Sequence, residues 1–374
     1  MSPAGSKARA PSKAPAAPQV LLDLLSARGP SGYEAAPVAV WRDAAREFAQ
    51  VSTDVVGTPI ARVAPRAGVR DGRSKIGQRR LLVMGHIDEI GVIVTHIDDD
   101  GFLWFRPVGG WDPQILIGQR VLIDTRDGPV PGVVGRKPIH LLRDEEEKKV
   151  VQIRDMHIDV GARDGAQARK LVRIGDVAVI DSLPLQLPGG RLSARALDNR
   201  IGSYVALQAA RLVAEAGGAA WELVAAAVTQ EEITFAGSRT SAFALEPSAA
   251  IVIDVTHATD APGIDVKEEG AHKLGSGPVI CRGSTLNEAL FELLHETARK
   301  DRIPFTLQAS ARATGTDADA VHLSRGGVPT ALVSVPLRYM HSPVELVQLD
   351  DVDACARLIA AAALRLKPAS EFAR

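Results

Sequence analysis

The chain has 374 residues, of which 46% are hydrophobic and 4% aromatic, and its 44 basic and 45 acidic residues leave a net charge of −1. This balance excludes a strongly basic protein that binds nucleic acid or a membrane surface, and the few aromatic residues disfavour base stacking. No apolar run approaches the ~18 residues of a membrane span. The two cysteines, Cys281 and Cys355, indicate a reducing, cytoplasmic environment without a disulfide framework.

The amino-terminal segment predicts a tail followed by two helices. Residues 1–17 are rich in Pro, Ala, Ser and Lys and contain no apolar stretch, so they predict a disordered tail rather than a secretory signal. Residues 19–28 have an amphipathic pattern that predicts a short helix. Ser31 and Glu34 have capping-box spacing, which predicts a second helix that runs to about Gln50.

Two β-rich stretches follow, after which the pattern changes. Residues 51–65 and 80–97 predict strands, and a polar hairpin tip is expected between them at 66–79. Between residues 101 and 190, short β-branched runs are broken by Gly, Pro and Asp, which is typical of a small β-barrel or sandwich. We therefore predict that residues 92–188 form an inserted β-rich domain.

An α/β pattern resumes after the insertion. An Ala-rich amphipathic helix is predicted over residues 199–217, and a capping box at Thr285 and Glu288 predicts the start of another helix. Because the insertion divides one α/β pattern, residues 18–91 and 189–374 are expected to form a single larger domain. Its other predicted elements are strands at 221–228, 249–254 and 330–336 and helices at 238–245 and 351–366.

Acidic and histidine side chains follow the predicted strands of this larger domain, or open the long helix. They are His86 and Asp88 after LLVMG, Asp198 in RALDNRIG, Glu231 and Glu232 after the run that ends at Val228, Asp254 at the end of AAIVID, and His341 after TALVSVP. Open α/β sheets bind ligands at the carboxyl ends of their strands. We therefore expect these side chains to share one site.

The chemistry of this set indicates metal binding. Two histidines with three or four carboxylates suit two divalent ions with mixed N/O ligands, such as Zn²⁺, Co²⁺ or Mn²⁺. Paired ions about 3.5–4 Å apart activate a bridging water and polarise a carbonyl group, as in aminopeptidases. Each part also has a simpler interpretation: His-x-Asp as a hydrogen-bonded turn, Asp198 as a helix cap, and Glu231-Glu232 as a solvated strand end.

Ten segments of the chain match one known family in the same order. They are GHIDEIG, FRPVGGWDPQILIGQRV, GRKPIHLL, VGARDGAQA, ALDNRIG, TQEEITFAGSR, IDVTHATDAPG, LGSGPVI, TGTDADA and RYMHSPVE. From about Val20 to Leu366 the chain thus resembles the tetrahedral (TET) aminopeptidases, clan MH metallopeptidases that include glutamyl and deblocking aminopeptidases. The resemblance implies an α/β catalytic domain, with a mostly parallel sheet between helices, and an inserted dimerisation domain.

The resemblance also implies a role for each metal ligand. His86 and Asp254 would hold one ion, Glu232 and His341 would hold the other, and Asp198 would bridge both. Such a site implies two divalent ions per subunit.

Two further residues complete the implied site. Glu231 would be the general base, which takes a proton from the metal-activated water and later delivers it to the leaving amine. Asp88 would orient His86 through its other ring nitrogen. The implied reaction is removal of the amino-terminal residue from short peptides.

Some positions depart from the family pattern. Ile233-Thr234 and Gly237-Ser238 stand where a Val-Gly-like pair and Gly-Ala are usual, and Asn199 stands where an acid is common. None of these departures removes an implied ligand. Thr234 is expected to reshape the wall beside the metals, so the departures bear on substrate preference more than on activity.

Two other functions are consistent with the same fold. A related metal-dependent amidohydrolase or deacylase would act on blocked peptides or N-acyl amino acids and would differ in its specificity pocket. A non-catalytic protein that forms cages or binds a partner would be expected to have lost at least one ligand or the base. The complete set of ligands and base argues against the non-catalytic protein.

The insertion is expected to mediate assembly. Its apolar segments FLWF and ILIG lie in a domain of under ~100 residues, which we expect to be too small to bury all of them well by itself. Exposed apolar patches usually mark an interface. We predict at least a dimer, and the resemblance implies dimers that assemble into a hollow dodecamer, which only small or unfolded peptides enter.

Overall fold

The structure is a computed structural model that describes residues 16–68, 79–141 and 150–372. Residues 1–15 of the expected tail and residues 69–78 of the expected hairpin tip lie outside the described residues. Among the described helices, none has both the length and the hydrophobicity required to cross a bilayer.

Helices and strands alternate along most of the chain, and strands predominate between residues 91 and 180. The helices are α1 (Gln19–Ser26), α2 (Ala35–Ala45), α3 (Pro113–Leu116), α4 (Gly165–Leu171), α5 (Leu197–Glu215), α6 (Glu231–Thr234), α7 (Ala236–Leu245), α8 (Val266–Glu269), α9 (Glu288–Asp301), α10 (Ala318–Val321) and α11 (Leu349–Arg365), with 3-10 turns at Ile139–Leu141 and Ile153–Asp155. The strands are β1 (Gln50–Thr53), β2 (Pro59–Val63), β3 (Arg80–His86), β4 (Gly91–Ile97), β5 (Leu103–Val108), β6 (Arg120–Thr125), β7 (Gly128–Gly135), β8 (His157–Asp159), β9 (Val177–Ile180), β10 (Leu185–Leu187), β11 (Arg191–Ala194), β12 (Glu222–Val228), β13 (Ala249–His257), β14 (Val279–Gly283), β15 (Thr306–Ser310), β16 (Thr330–Leu337) and β17 (Glu345–Gln348).

The larger domain is built on a mixed sheet. Within the described residues this sheet has eight strands in the order β1-β2-β12-β3-β13-β16-β14-β15. The neighbours β12, β3, β13 and β16 are parallel. β2 runs antiparallel to both β1 and β12, whereas β14 runs antiparallel to β16 and parallel to β15. A smaller sheet consists of β10, β11 and β17, and the last of these strands leads directly into α11. The carboxyl ends of the four parallel strands therefore meet at one edge of the large sheet.

Helices cover both faces of the large sheet. On one face, α5 and α11 pack together with α1, α2 and α9 around buried residues such as Leu207 and Leu358. On the other face, Ala242 of α7 and Val321 of α10 pack against Met84 and its neighbours. A sheet buried on both faces requires apolar residues at successive positions, which explains the sequence ELVAAAV of β12.

The insertion forms a closed barrel with the strand order β4-β5-β8-β7-β6-β9. Alternate residues of a small barrel point into its own core. Leu103 and Phe105 of FLWF and Leu116 of ILIG are at most 3% exposed in that core. Phe102, Trp104, Ile115 and Ile117 are half-buried, so the core takes up alternate residues of these segments and leaves the rest partly exposed. More exposed apolar side chains of the insertion lie elsewhere, such as Val133 and Ile174. The predicted α/β fold with a barrel-like insertion is confirmed.

Both predicted capping boxes are wrong. Ser31 does not cap α2, because its hydroxyl donates to Asp88. The helix also ends earlier than predicted, at Ala45, and Gln50 is instead the first residue of β1. The cap of α9 is Asn287 rather than Thr285, and its Oδ1 accepts from the backbone N–H of Leu290 at 3.0 Å. In the first case a partner distant in sequence, Asp88, takes the place of the local pairing. In the second case the cap lies two residues further on, at Asn287.

Candidate metal centre and active site

The candidate site lies where the four parallel strands end. β3 ends at His86, which is level with the last residue of β12. The chain then turns from β12 into α6, which begins with Glu231 and Glu232. Asp254 lies near the end of β13, and His341 follows β16. Because the register aligns these strand ends, residues far apart in sequence reach one place.

Asp198 reaches the same place from the start of α5. It lies within the first turn with non-helical backbone angles, as does Asn199. The Asn199 amide donates to the carbonyl of Ile253 at 2.8 Å, and its oxygen accepts from the N–H of Gly202 at 2.8 Å. The side chain of Asn199 thus fastens this turn to β13, next to Asp254, which is a structural use for a position where the family commonly has an acid.

The imidazoles of His86 and His341 face opposite oxygens of one carboxylate. Nε2 of His86 lies 3.2 Å from Oδ1 of Asp198 and 3.6 Å from Oε2 of Glu231. Nε2 of His341 lies 3.4 Å from Oδ2 of Asp198 and 3.3 Å from Oε1 of Glu232. Each oxygen of Asp198 is therefore beside a different group of potential ligands.

Potential ligand atoms gather in three overlapping groups among the described residues. Within each group these atoms lie within 4.8 Å of one another, and the groups are His86–Asp198–Asp254, Asp198–Glu232–His341 and His86–Glu231–Glu232. Asp198 belongs to the first two groups, which have no other member in common. The structure thus brings together the five residues that the sequence predicted as ligands, and it places Glu231 beside them.

Asp88 lies under the site and is fully buried. Its Oδ1 accepts from the backbone N–H of Glu231 and its Oδ2 from that of Glu232, both at 3.1 Å. Oδ1 is also 3.4 Å from Nδ1 of His86, and Ser31 donates to Oδ2. Asp88 therefore holds the turn that carries both glutamates as well as facing His86, a second contact that its position in the sequence did not indicate.

The site contains more acidic groups than basic ones. Burial raises the pKa of Glu231 to about 10 and raises that of Asp254 well above its usual range. The contacts of His341 with Asp198 and Glu232 raise its pKa to about 11. Crowded carboxylates disfavour one another's charged forms unless a cation lies between them. Together with two imidazoles, which become neutral nitrogen donors when a metal ion displaces their protons, the set therefore fits divalent metal ions.

Two buried acids beside the site were missed by the sequence interpretation. Glu345 accepts from the backbone N–H of Asp198 with Oε2 at 3.0 Å and from that of His341 with Oε1 at 2.9 Å. Asp317 is buried, and neither of its carboxyl oxygens has a hydrogen-bond partner among the described residues. Their signal was present, because Glu345 is the acid of the matched segment RYMHSPVE and Asp317 is one of the two acids of TGTDADA.

A second buried charge cluster supports the site from behind. Glu89 pairs with Arg195 through Oε2, and its Oε1 accepts from Nη2 of Arg200 at 2.7 Å. Burial alone would raise the pKa of Glu89, but the charges of the two arginines lower it below its usual range. Arg200 also donates to the carbonyls of Ile87 at 3.0 Å and Leu24 at 2.8 Å. This cluster ties the residue that follows His86 to the end of α1.

A cavity of about 530 Å³ opens over the metal-binding residues. Beyond those residues its walls include Phe235, Val255, Thr256, His257, Glu269, Gln308, Thr314, Thr316 and Met340. His257, at the end of β13, is thus part of the wall. Thr234 is exposed and its hydroxyl bonds the carbonyl of Gln230 at 3.3 Å, so the expectation that Thr234 reshapes the wall is wrong.

A loop of the barrel closes one side of the site. Gly109 and Gly110 follow β5, and Gly109 has a φ of +78°. A Cβ atom on Gly109 would meet the side chain of Ile90 at 2.5 Å and Oε2 of Glu232 at 3.3 Å. A Cβ on Gly110 would come within 3.4 Å of Nδ1 of His341. Glycine is required at Gly109 by both its backbone conformation and this close approach.

Comparisons with known proteins agree with this geometry. The M42 glutamyl aminopeptidase family model matches residues 69–358. The chain is 34% identical over 357 residues to the lysyl aminopeptidase of Pyrococcus furiosus, a match that covers 94% of this chain and 97% of the relative. A TET aminopeptidase from a marine sediment archaeon of the Thaumarchaeota has a TM-score of 0.85 at 33% identity and covers 93% of this chain and 96% of its own. The TET1 peptidase of Pyrococcus horikoshii, which can assemble into a tetrahedron or a large octahedral shell, has a TM-score of 0.79 at 31% identity, over 93% and 99% of the two chains. The chain therefore belongs to the M42 glutamyl aminopeptidase family, as the resemblance implied, and is a peptidase of that family.

Proposed function

We propose that this peptidase is a dinuclear metal aminopeptidase that removes the first residue from short peptides. The observation that carries the proposal is the position of Asp198, whose two oxygens face His86 and His341 separately. A carboxylate placed in this way can bridge two ions, because each oxygen has lone pairs for one of them. A site for a single ion would not need both groups of ligands.

The ligand assignment follows from the two groups that share this residue. His86 and Asp254 would hold one ion together with Asp198, and Glu232 and His341 would hold the second. When bound, the ions would polarise the scissile carbonyl group and lower the pKa of a water molecule. Zn²⁺, Co²⁺ and Mn²⁺ all suit these N/O donors.

Glu231 is proposed as the general base. Its carboxylate lies beside both groups of ligands, and its backbone N–H is fixed by Asp88. In this position Glu231 takes a proton from the attacking water and transfers it to the amine of the departing residue. Asp88 positions His86 and the turn that carries Glu231, so we assign it a positioning role.

The names of the relatives do not agree on the first residue of the substrate. The family is named for glutamyl aminopeptidase activity, whereas the relative from Pyrococcus furiosus is a lysyl aminopeptidase. The walls of the cavity above the ligands must determine this preference. We therefore propose short peptides with a free amino terminus as the substrate class.

Metal removal and replacement test the proposal. The protein is treated with a chelator, dialysed, and assayed on a panel of aminoacyl-p-nitroanilides with Zn²⁺, Co²⁺ or Mn²⁺ restored. We expect activity to disappear and to return in proportion to metal content, with saturation at two ions per chain by elemental analysis. Saturation at one ion, or full activity of metal-free protein, would contradict the dinuclear mechanism.

We further propose that the barrel mediates assembly in the cytoplasm, with domain boundaries at residues 92 and 188. The TET1 peptidase of Pyrococcus horikoshii forms closed shells. Val133 and Ile174 are 50% and 66% exposed on the barrel in the isolated chain. Exposed apolar side chains on a barrel with a complete core of its own support a subunit interface there.

Light scattering tests this assembly. The intact chain at micromolar concentration is compared with the double variant Val133→Glu and Ile174→Glu, which places charges on the proposed interface. We expect a closed oligomer, up to a dodecamer, for the intact chain and a smaller species for the variant. A monomeric intact chain would contradict assembly, and an unchanged oligomer would assign the contact to the catalytic domain.

A further inference from the structure

The cavity above the ligands extends along the end of β13, away from the metal-binding residues. Asp254, Val255, Thr256 and His257 are consecutive in β13 and line the cavity in turn. A strand rises about 3.3 Å per residue, so the His257 end lies about 10 Å beyond Asp254. Nε2 of Gln308 donates to Oγ1 of Thr256 at 3.1 Å and holds that end of the wall. The space between Asp254 and the His257 end of the strand is therefore long enough for an extended side chain of a substrate bound at the metal-binding residues.

Glu269 supplies a carboxylate at this far end. It is the last residue of α8, it is half-buried, and it lines the cavity. The segment that follows is fastened beside the extension of β13, because the N–H of Thr259 donates to the carbonyl of His272 at 2.8 Å and the N–H of His272 donates to Oγ1 of Thr259 at 2.9 Å. The backbone at Glu269 is therefore held close to the end of the strand that carries His257.

Among the residues that the structure describes, Glu269 forms no ion pair with a lysine or arginine, and no lysine or arginine lines this cavity. The nearby His272 does not supply a charge, since burial lowers its pKa. The carboxylate therefore gives this end of the cavity a negative potential that a bound molecule can neutralise.

The wall between the ligands and Glu269 is partly apolar. Val255, Phe235 and Met340 all line the cavity. Lysine and arginine combine an aliphatic stem with a terminal charge, so their stems pack on apolar walls while their charged groups reach polar surroundings. Along the cavity, the metal-binding residues are followed by an apolar wall and then by a carboxylate. This order fits the aliphatic stem and the terminal charge of lysine or arginine. An acidic side chain would instead meet Glu269 with like charge.

We propose that Glu269 is a specificity-determining residue that directs this peptidase to peptides whose first residue is lysine or arginine. The inference rests on the proposed aminopeptidase function, because it assigns the side chain of the first residue to this end of the cavity. It concerns the charge at the end of that side chain, and the ligand assignment does not depend on it.

The test compares substrates that differ in this charge. Lysine and norleucine p-nitroanilides share the same four-carbon side-chain stem, and lysine alone carries an ammonium at its end, so their kcat/KM ratio reports the contribution of the ammonium group. We expect wild type to prefer lysine over norleucine and to cleave the glutamate derivative least. Glu269→Gln should lower the lysine to norleucine ratio about fivefold, as for a partly exposed ion pair, and Glu269→Lys should lower it further and favour glutamate.

Glu268→Gln is the matched control. Glu268 is the preceding residue of α8, is exposed, and does not line the cavity, so its ratio should equal that of wild type. A second readout is the calorimetric affinity of the same proteins for L-lysinamide and L-norleucinamide, which requires no turnover. Equal ratios in Glu269→Gln and wild type, or a wild-type preference for norleucine, would overturn the inference. Absence of turnover on every derivative, with lysinamide still bound through Glu269, would overturn the proposed function and leave the binding preference established.

Discussion

Two buried charge clusters lie side by side beneath the carboxyl edge of the sheet, and they are neutralised in different ways. Glu89 is enclosed by Arg195 and Arg200, whose side chains are at most 8% exposed. Asp88, the residue before Glu89, supports the second cluster, in which four carboxyl groups face two imidazoles. The first cluster contains its own counter-charges, whereas the second contains groups that an external cation would complete.

The difference separates structural charge from functional charge. Buried ions are costly unless they are paired. The arginines remove that cost for Glu89 during folding, and the pair then has no capacity to bind anything further. The acids around Asp198 keep that capacity. Both clusters contain buried acids, and they differ in whether the protein itself provides the cations that neutralise those acids.

The largest effect is expected in the self-neutralised cluster. Arg200→Met leaves Glu89 with Arg195 alone and removes the donor of three buried acceptors, which are Oε1 of Glu89 and the carbonyls of Ile87 and Leu24. A buried acceptor without a partner costs about 1–3 kcal/mol, so we expect the free energy of unfolding to fall by at least about 3 kcal/mol. Urea denaturation followed by circular dichroism measures it. A loss below about 1 kcal/mol would show that the cluster does not depend on its arginines.

Glu231→Gln tests the uncompensated cluster. The amide keeps the shape of the side chain but cannot accept the proton, so we expect turnover to fall at least ~10²-fold, the low end for loss of a general base. Metal content should not change, as measured by elemental analysis. Glu232→Gln serves as the comparison and should lose metal. Near-normal turnover of Glu231→Gln would exclude the base assignment, and loss of metal from it would mean that the two glutamates have exchanged roles.

Glu345→Gln should have an intermediate effect on the same cluster. The carboxylate accepts from the backbones of both Asp198 and His341. An amide has one acceptor oxygen, so one of these N–H groups loses its partner and the ligand it carries shifts. We expect metal affinity to fall about 10–100-fold, as for other residues that orient ligands, in a calorimetric titration. Asp350→Asn, at an exposed position nearby, is the control, and equal affinities in the two variants would remove Glu345 from this role.

The smallest effect is expected at Arg211, which lies on the same helix as Arg200. Its Nη2 is 2.8 Å from Glu47, but the side chains of Arg211 and Glu47 are 27% and 62% exposed. Solvent screens such a pair, so Arg211→Met should cost about 1 kcal/mol or less in the free energy of unfolding. The measurement is the one used for Arg200→Met. A loss as large as that of Arg200→Met would mean that burial does not explain the difference between the two arginines.

Much of the fold and of the candidate site followed from the sequence. The runs that lead to His86, Val228 and Asp254 are apolar at successive positions, as a sheet buried on both faces requires. Polar residues just after such runs had to reach the same edge of the sheet. That reasoning located the ligands, and the matched segments supplied their proposed roles.

The supporting contacts could not be predicted in the same way. Ser31 has the spacing of a helix cap, but its partner is Asp88, 57 residues away. Arg200 has a carboxylate partner 111 residues away, at Glu89. Spacing rules describe neighbours on one helix or strand, whereas these pairs depend on how separate elements pack. Which residues of FLWF are buried could not be predicted for a related reason, since closure of a barrel is a property of the assembled strands.

The glycine loop at Gly109 and Gly110 makes the orientation of the barrel part of the definition of the active site. The loop belongs to the barrel, yet a Cβ atom on Gly109 would lie 3.3 Å from Oε2 of Glu232 and one on Gly110 would lie 3.4 Å from Nδ1 of His341. A tilt of the barrel relative to the sheet would therefore change the space beside two ligands that are assigned to a single ion. A binding partner that tilted the barrel would thus act on one half of the proposed metal pair without a change in the sheet itself.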